Sequence, residues 1–284
     1  MGLMHFWQRV LAVSIPVLVC MPAMADEPSP FHKPVRLQAD GRVIDTGEAW
    51  GHSGPCLADV DGAGLKELVV GDFSGKFRLY RNVGSKQEPK WTSAKYLMAG
   101  GKEAEVPIYC CIGSRPHFVD FDGDDTLDMI SGSYDPGECY LFRGLGKGEY
   151  AARETIVDKS GKPVLRYPDQ KQNYQSFGSW PVMVDWDNDA DLDLLVGGFD
   201  GTMFVRLNTP VKDRPVFDAT NLKVQADGKE LKVSGDPAGH ATPAVVDWDG
   251  MAAGTFSLGA TAGRCTSTEM SEKRMPRSLK ASRC

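Results

Sequence analysis

A long internal repeat constrains this chain more than any other feature of its sequence. An acidic motif recurs four times at spacings of 61, 65 and 62 residues, led by Asp59, Asp120, Asp185 and Asp247. Its surroundings recur as well, because Gln38-Ala-Asp-Gly41 returns 187 residues later, or three periods, as Gln225-Ala-Asp-Gly228. A fixed period of this kind indicates tandem structural units that bury their cores against their neighbours.

Each period contains the pattern of short β-strands. In the second period, residues 117–121 are rich in β-formers, residues 127–132 follow the acidic loop, and residues 139–142 follow a Gly/Pro turn. A further extended piece precedes the next repeat. Short strands separated by Gly, Asp and Pro indicate antiparallel sheet, and four per period is typical of a propeller blade. We therefore predict an all-β fold of propeller-type blades with four antiparallel strands, truncated to three blades plus a fragment.

The acidic motif of the second repeat has the spacing of a metal-binding loop. Asp120, Asp122, Asp124 and Asp128 occupy positions 1, 3, 5 and 9, and Thr126 offers a carbonyl at position 7. Alternate side chains at the start of an EF-hand-like loop converge on one cation in this way. Oxygen ligands without nearby His or Cys favour Ca²⁺ over zinc or copper.

The third repeat offers the same set of ligands: Asp185, Asp187, Asp189 and Asp193, with the carbonyl of Asp191 at position 7. Its turn positions differ, since Asn188 replaces a glycine and Ala190 stands at position 6. Asn tolerates a left-handed backbone, whereas alanine is strained there. On turn geometry alone, we therefore expect the third loop to bind calcium somewhat more weakly than the second loop.

The first and fourth loops depart further from the pattern. The first keeps Asp59 and Asp61, has Ala63 at position 5 and has Glu67 at position 9, so its occupancy stays open. The fourth shows only Asp247 and Asp249 before the pattern stops. Asp and Gly also mark solvated turns that hold no metal. Recurrence in register at the same point of the repeat favours the metal interpretation for the second and third loops.

The N-terminus and the charge indicate the compartment and exclude one class of partner. Arg9, the apolar run 10–19 and Ala23-Met-Ala25 have the layout of a cleavable signal peptide over residues 1–25. No other stretch is apolar enough for a transmembrane segment, so we expect a secreted, periplasmic or cell-surface protein. The formal net charge is −6, and the acids lie in loops. Nucleic acid is excluded as a partner because phosphate binding needs a basic face.

Several residues invite functional interpretations that the sequence does not require. Cys56, Cys110, Cys111 and Cys139 could form disulfides, a vicinal one included, or remain thiols, and sequence alone leaves the pairing open. His52 and His240 recur at equivalent positions, which favours packing or a loop hydrogen bond over catalysis. For Trp180, Trp186 and Trp248, inter-blade packing is the simpler interpretation, and sugar stacking is the alternative.

The acidic loops, followed by Gly-Asp-Phe-Ser-Gly at residues 71–75 and by Gly-Gly-Phe-Asp-Gly at residues 197–201, resemble FG-GAP or VCBS repeats of integrin-like β-propellers. The resemblance covers residues 35–250 of a predicted repeat region 26–250, and it implies radially packed blades with calcium in hairpin loops. No catalytic motif is present, so we expect a non-enzymatic binding or adhesion module for a glycan or protein. A lyase-like polysaccharide-degrading enzyme and a truncated, non-functional product are the alternatives.

The composition changes abruptly after Gly250. Residues 251–284 contain no Asp and have six Lys/Arg against two Glu. If the reading frame starts one base earlier, at the last base of the Gly250 codon, the codons of residues 251–256 encode a different series. The shifted codons permit Asp, require Gly, allow two variable residues, permit Asp again and require an apolar residue. That is the missing half of the acidic motif. We interpret the tail as out of frame and lacking a stable fold of its own, which resequencing across the Gly250 codon tests.

Overall fold

A computed structural model describes residues 33–47, 53–107, 114–165, 178–211, 214–226, 228–233, 240–246 and 255–259. The described residues from Leu37 onward belong to one compact unit. Residues 33–36 belong to a separate unit and form no helix or strand. The described residues contain strands and turns but no α-helix, and so no helix that could cross a membrane.

The strands are short and follow one another closely. In chain order they are β1 Gln38–Ala39, β2 Arg42–Val43, β3 Ser53–Ala58, β4 Glu67–Asp72, β5 Phe77–Tyr80, β6 Lys95–Tyr96, β7 Met98–Ala99, β8 Lys102–Glu103, β9 His117–Val119, β10 Asp128–Gly132, β11 Cys139–Phe142, β12 Gly144–Gly146, β13 Glu149–Tyr150, β14 Glu154–Thr155, β15 Ser179–Val184, β16 Asp193–Gly198, β17 Met203–Arg206, β18 Leu222–Lys223, β19 Gln225–Ala226, β20 Lys229–Glu230, β21 Thr242–Val246 and β22 Thr255–Gly259.

Three repeats each form one four-stranded antiparallel sheet, which confirms the predicted fold class. The sheets have the orders β3-β4-β5-β6, β9-β10-β11-β14 and β15-β16-β17-β18. A two-stranded sheet of β21 and β22 makes the fourth, incomplete unit. Strand β11 has the predicted bounds, whereas β9 ends at Val119 because the acidic loop begins at Asp120.

The first two strands of every unit are paired in the same register. Ala58 pairs with Glu67, Val119 with Asp128, Val184 with Asp193, and Val246 with Thr255, each pair enclosing an eight-residue loop. Thr255 thus takes the position-9 place of the fourth loop. Strand β22 lies in the tail for which we predict no stable fold, and the rest of that tail lies outside the described residues. The reading-frame hypothesis stays a prediction.

Alternation along the middle strands builds the core between neighbouring sheets. Successive side chains of a strand point to opposite faces. In β10, Met129 therefore joins the apolar cluster shared with the first sheet, and Ile130 joins the cluster shared with the third. In β16, Leu194 faces the second sheet and Leu195 faces β21. Because both faces are covered, the middle strands are buried along their whole length.

A glycine on the second strand of each sheet lets the next repeat approach closely. Gly71, Gly132 and Gly197 each lie twelve residues after the leading Asp of their repeat. A Cβ atom at Gly132 would lie 1.8 Å from the carbonyl oxygen of Ser179, and one at Gly197 would lie 2.1 Å from that of Ala241. Beside this contact, the Ser179 N–H donates to the Ser133 carbonyl at 3.1 Å. The recurring glycine therefore allows the backbones of adjacent sheets to pack closely together.

We expect Gly132→Ala to destabilise the protein by about 2–3 kcal/mol, because the new methyl group meets backbone that cannot rotate away. Urea unfolding followed by tryptophan fluorescence measures this loss. Gly161→Ala is the matched control: its φ of +78° is strained for alanine, but no atom lies within 4 Å. A loss at Gly132 no greater than at Gly161 would contradict the close-approach explanation.

Candidate metal centres

Three acidic groups lie in equivalent loops between the first and second strands of the three complete sheets. Each group combines the acids at positions 1, 3 and 9, with one ligand atom from each residue lying within 4.8 Å of the others. The groups are Asp59, Asp61 and Glu67; Asp120, Asp122 and Asp128; and Asp185, Asp187 and Asp193. The structure therefore brings together the acids that the sequence places at positions 1, 3 and 9, including those of the less regular first loop.

Local hydrogen bonds from the loop backbone set the leading carboxylate in place. In the second loop, Asp120 Oδ1 accepts the N–H groups of Gly123 at 2.8 Å and Asp124 at 3.0 Å. Asp120 Oδ2 accepts that of Asp125 at 3.0 Å. In the third loop, Asp185 accepts the two equivalent bonds from the N–H groups of Asp189 and Ala190. Short polar side chains that bond their own backbone favour turns over strand, so the loop is preorganised by its own sequence.

The position-9 acid anchors the loop to the sheet. Asp193 accepts the N–H of Trp186 at 2.9 Å and that of Asn208, after β17, at 2.7 Å. Burial, with the nearby charges of Asp187 and Asp189, raises the pKa of Asp193 to about 6, against the opposing hydrogen bonds. Burial also raises the pKa of Asp128 and of Glu67. Raised values show that negative charge is poorly compensated here.

Two buried oxygens in these groups lack a hydrogen-bond donor in the part of the chain that the structure describes. They are Asp59 Oδ1 and Asp122 Oδ1, and both are inaccessible to solvent. An unsatisfied buried acceptor costs free energy, and a carboxylate costs more than a neutral group. A divalent cation between the acids would satisfy these oxygens, and an all-oxygen set suits a hard cation. The residues present therefore fit a metal ion, although they do not distinguish calcium from other hard cations.

The position-5 carboxylates lie outside the three-acid groups. Asp124 Oδ1 accepts the N–H of Thr126 at 2.8 Å, and Asp189 Oδ1 accepts that of Asp191 at 2.9 Å. Each bond thus holds the backbone N–H of the residue at position 7. Metal ligation by Asp124, Thr126, Asp189 and Asp191 stays a prediction.

Arginines that the sequence analysis did not select approach two of the loops. Arg81 Nη1 donates to Asp61 Oδ2 at 2.5 Å, and Arg143 Nη1 donates to Asp122 Oδ2. Leu207 takes the equivalent place in the third repeat. In the acidic group of that repeat, burial is the main cause that raises the pKa of Asp187, and the charges of neighbouring acids raise it further. The third loop thus gains no arginine from this position. The sequence does carry a signal for these arginines, because Arg81 and Arg143 both directly follow the third strand of their repeat.

The turn positions of the loops are left-handed, as the sequence predicts. Asn188 has a φ of 63° and Ala190 a φ of 74°, and the corresponding residues of the second loop, Gly123 and Asp125, have 76° and 65°. Gly123 has no Cβ atom, and Asn188 and Asp125 tolerate the left-handed region. Of these four residues, only Ala190 has a side chain that is strained there. The third loop therefore holds backbone strain at one residue.

We expect Ala190→Gly to stabilise the protein by about 1 kcal/mol, because glycine removes the left-handed strain. Thermal unfolding at fixed calcium concentration measures the gain. The matched control is Ala219→Gly at an exposed position without positive φ, where added chain entropy lowers stability instead. Equal effects at the two positions would show that Ala190 is not strained.

Other residues singled out in the sequence have structural surroundings. Cys56 and Cys139 are free thiols, and the remaining two cysteines of that set lie outside the described residues, as do His52, Trp248, Asp247 and Asp249. Trp180 is 5% exposed and packs with Tyr134 and Phe199. Trp186 packs against the core beside β21. These contacts agree with the inter-blade interpretation of both tryptophans.

Comparisons with known proteins leave the family open. Neither a family model nor a curated protein sequence matches the chain. A structure of the Tc holotoxin pore of Photorhabdus luminescens is similar at 18% identity and a TM-score of 0.34. That match covers 75% of this chain and only 8% of the toxin chain. The fold and its acidic groups are therefore interpreted from this protein's own residues.

Proposed function

We propose that this protein is an exported, calcium-stabilised repeat protein of the FG-GAP/VCBS type, acting as a non-catalytic binding or adhesion module for an extracellular glycan or protein. The observation that supports it most is the recurrence of the three-acid group in three equivalent loops. A single acidic loop could be a solvated turn, but the group recurs in register, and two of the three groups have a buried oxygen that a cation would satisfy.

Calcium would have a structural role in this module. Asp120, Asp122 and Asp128, with their counterparts in the other loops, would hold the ion. Bound cations would offset the repulsion among carboxylates and stiffen the hairpin ends. Extracellular calcium modules work at Kd values of about 10⁻⁴ to 10⁻³ M, which suits an exported protein. Rigid loops at one end of each sheet offer a repeated surface to a ligand.

Ligand binding that depends on calcium tests this function. We expect the exported chain, immobilised in calcium buffer, to retain a glycan or protein from an extracellular panel and to release it on adding EGTA. Asp122→Ala combined with Asp187→Ala weakens retention, whereas Glu88→Gln, an exposed acid outside the groups, does not. Retention that is equal with calcium and with EGTA would count against the calcium-dependent module.

A second candidate, a polysaccharide-degrading enzyme, is favoured by one observation. Arg115 and His117 line the same cavity, beside the first strands of the repeats. A lyase needs a base and a cation converging in this way. Against this role, burial and the charge of Arg115 lower the pKa of His117 to about 4, which makes it a weak base. Release of unsaturated products from a polysaccharide panel would establish the enzyme instead.

A further inference from the structure

A cavity of about 160 Å³ lies where the first strands of all four units come together. Each unit contributes the proline four residues before its leading Asp: Pro55, Pro116, Pro181 and Pro243. The remaining lining residues are the neighbours of these prolines. The cavity is therefore built by the repeat, although the chemistry of its walls differs from one unit to the next.

One side of the cavity is cationic and the other side is apolar. Cys56, Arg115 and His117 come from the first and second units, whereas the third and fourth contribute Trp180, Val182, Ala244 and Val245 besides their prolines. Among the described residues, no acidic side chain lines the cavity or forms an ion pair with Arg115. Burial lowers the pKa of Arg115, but a guanidinium remains charged in proteins. A partly desolvated positive charge thus lacks a counter-ion among the residues that the structure describes.

His117 adds a neutral hydrogen-bond donor beside this charge. Its Nε2 accepts the backbone N–H of Met183 at 3.4 Å, which places the ring proton on Nδ1. With a pKa of about 4, lowered by burial and then by Arg115, the ring is uncharged at neutral pH. Burial raises the pKa of Cys56, so its thiol is uncharged too. The described residues that line the cavity therefore carry a single positive charge.

We propose that this cavity is a binding site for a compact carboxylate, held by the Arg115 guanidinium. Carboxylates match the planar fork of arginine, and one positive charge balances a monoanion better than a doubly charged phosphate. The volume is below the roughly 300–1,000 Å³ of pockets that enclose a drug-sized ligand, so the site takes a small acid or the acidic end of a larger molecule. This inference rests on the proposed binding function and supplies its ligand chemistry.

Cys56 provides a reporter inside the cavity. The exported chain is treated with 2-sulfonatoethyl methanethiosulfonate or 2-(trimethylammonio)ethyl methanethiosulfonate, and modification of Cys56 is followed by peptide mass spectrometry. Each rate is divided by the rate of the same reagent with a small free thiol, because the thiolate itself favours the cationic reagent. On this scale we expect the anionic reagent to be favoured about tenfold, because a unit charge a few ångströms away changes each rate several-fold. Arg115→Gln removes this preference and Arg115→Lys keeps part of it. Arg153→Gln, at an exposed arginine, leaves it unchanged.

Protection of Cys56 then tests the carboxylate itself. Propionate is expected to slow modification of Cys56 in the unmodified chain but not in Arg115→Gln, and propionamide, its neutral counterpart, to give no protection. Equal rates for the two reagents after division by their rates with the free thiol, or equal protection by propionate and propionamide, would overturn the proposal. If the chain binds an extracellular ligand but Cys56 shows no charge preference, the carboxylate site is refuted and the binding function stands. If Cys56 shows the charge preference and propionate protection but no larger ligand binds, the carboxylate site stands and the binding function is refuted.

Discussion

Chelation with EGTA is expected to lower the melting temperature of the protein by about 10–20 °C relative to 10 mM calcium. At 100 times Kd, a ligand stabilises the folded state by about 2.7 kcal/mol per site, so the second and third loops together contribute about 5 kcal/mol. For a domain of this size, 1 kcal/mol corresponds to roughly 2–4 °C. Differential scanning calorimetry with and without calcium measures the shift.

Variants of the position-3 acids localise this effect. Asp122→Ala and Asp187→Ala each remove one ligand from a three-acid group, and each is expected to abolish about half of the calcium-induced rise. Glu88→Gln leaves the full rise, since Glu88 is exposed and lies outside the groups. A melting temperature that EGTA does not change would refute the metal interpretation of all three loops.

Asp158→Ala is expected to destabilise the protein by about 3–5 kcal/mol, since removing one partner of a buried ion pair leaves the other charge uncompensated. Arg206 is fully buried, and its Nη1 donates to Asp158 Oδ2 at 3.0 Å. Its Nε donates to Asn221 Oδ1 at 2.6 Å. Next to this pair, the N–H of Lys159 donates to the carbonyl of Phe217 at 2.9 Å. The pair thus joins the end of the second repeat to the third.

A double-mutant cycle separates the pair from the packing around it. Arg206→Met combined with Asp158→Ala is expected to cost less than the two single losses added together, because no buried charge remains. Glu103→Ala, in the exposed pair with Lys76, costs under about 1 kcal/mol. Additive single losses in urea unfolding would show that Asp158 and Arg206 are not coupled.

The contribution of the Asp158–Arg206 pair to the stability of the protein depends on pH in a definite direction. Burial alone would raise the pKa of Asp158, but hydrogen bonds from Ser160, the Lys162 N–H and Arg206 outweigh it and lower the pKa below the ordinary value of 3.8. The stabilisation is therefore present at neutral pH and is lost as the pH falls through the lowered folded-state value. The difference between Asp158→Ala and the unmodified protein is expected to narrow in strong acid.

Prediction from sequence succeeded where the determining residues are neighbours in the chain. The strand Cys139–Phe142 and the grouping of Asp120, Asp122 and Asp128 follow from strand alternation and from turn geometry, which act over a few residues. The strain at Ala190 was visible for the same reason. Prediction was weaker for short strands such as β7 and β13, which pair in parallel at Ala99 and Tyr150, because a two-residue strand has no periodicity to detect.

The sequence by itself determined the repeat, the all-β character and the residues that can bind metal, since each depends on local spacing. Only the tertiary structure brought Arg206 to Asp158, 48 residues away, and Gly132 against Ser179. It also placed Cys56, Arg115 and His117 on one cavity with Trp180. These contacts depend on how adjacent sheets pack, and side chains from different repeats meet only once the apolar faces of both sheets are buried together.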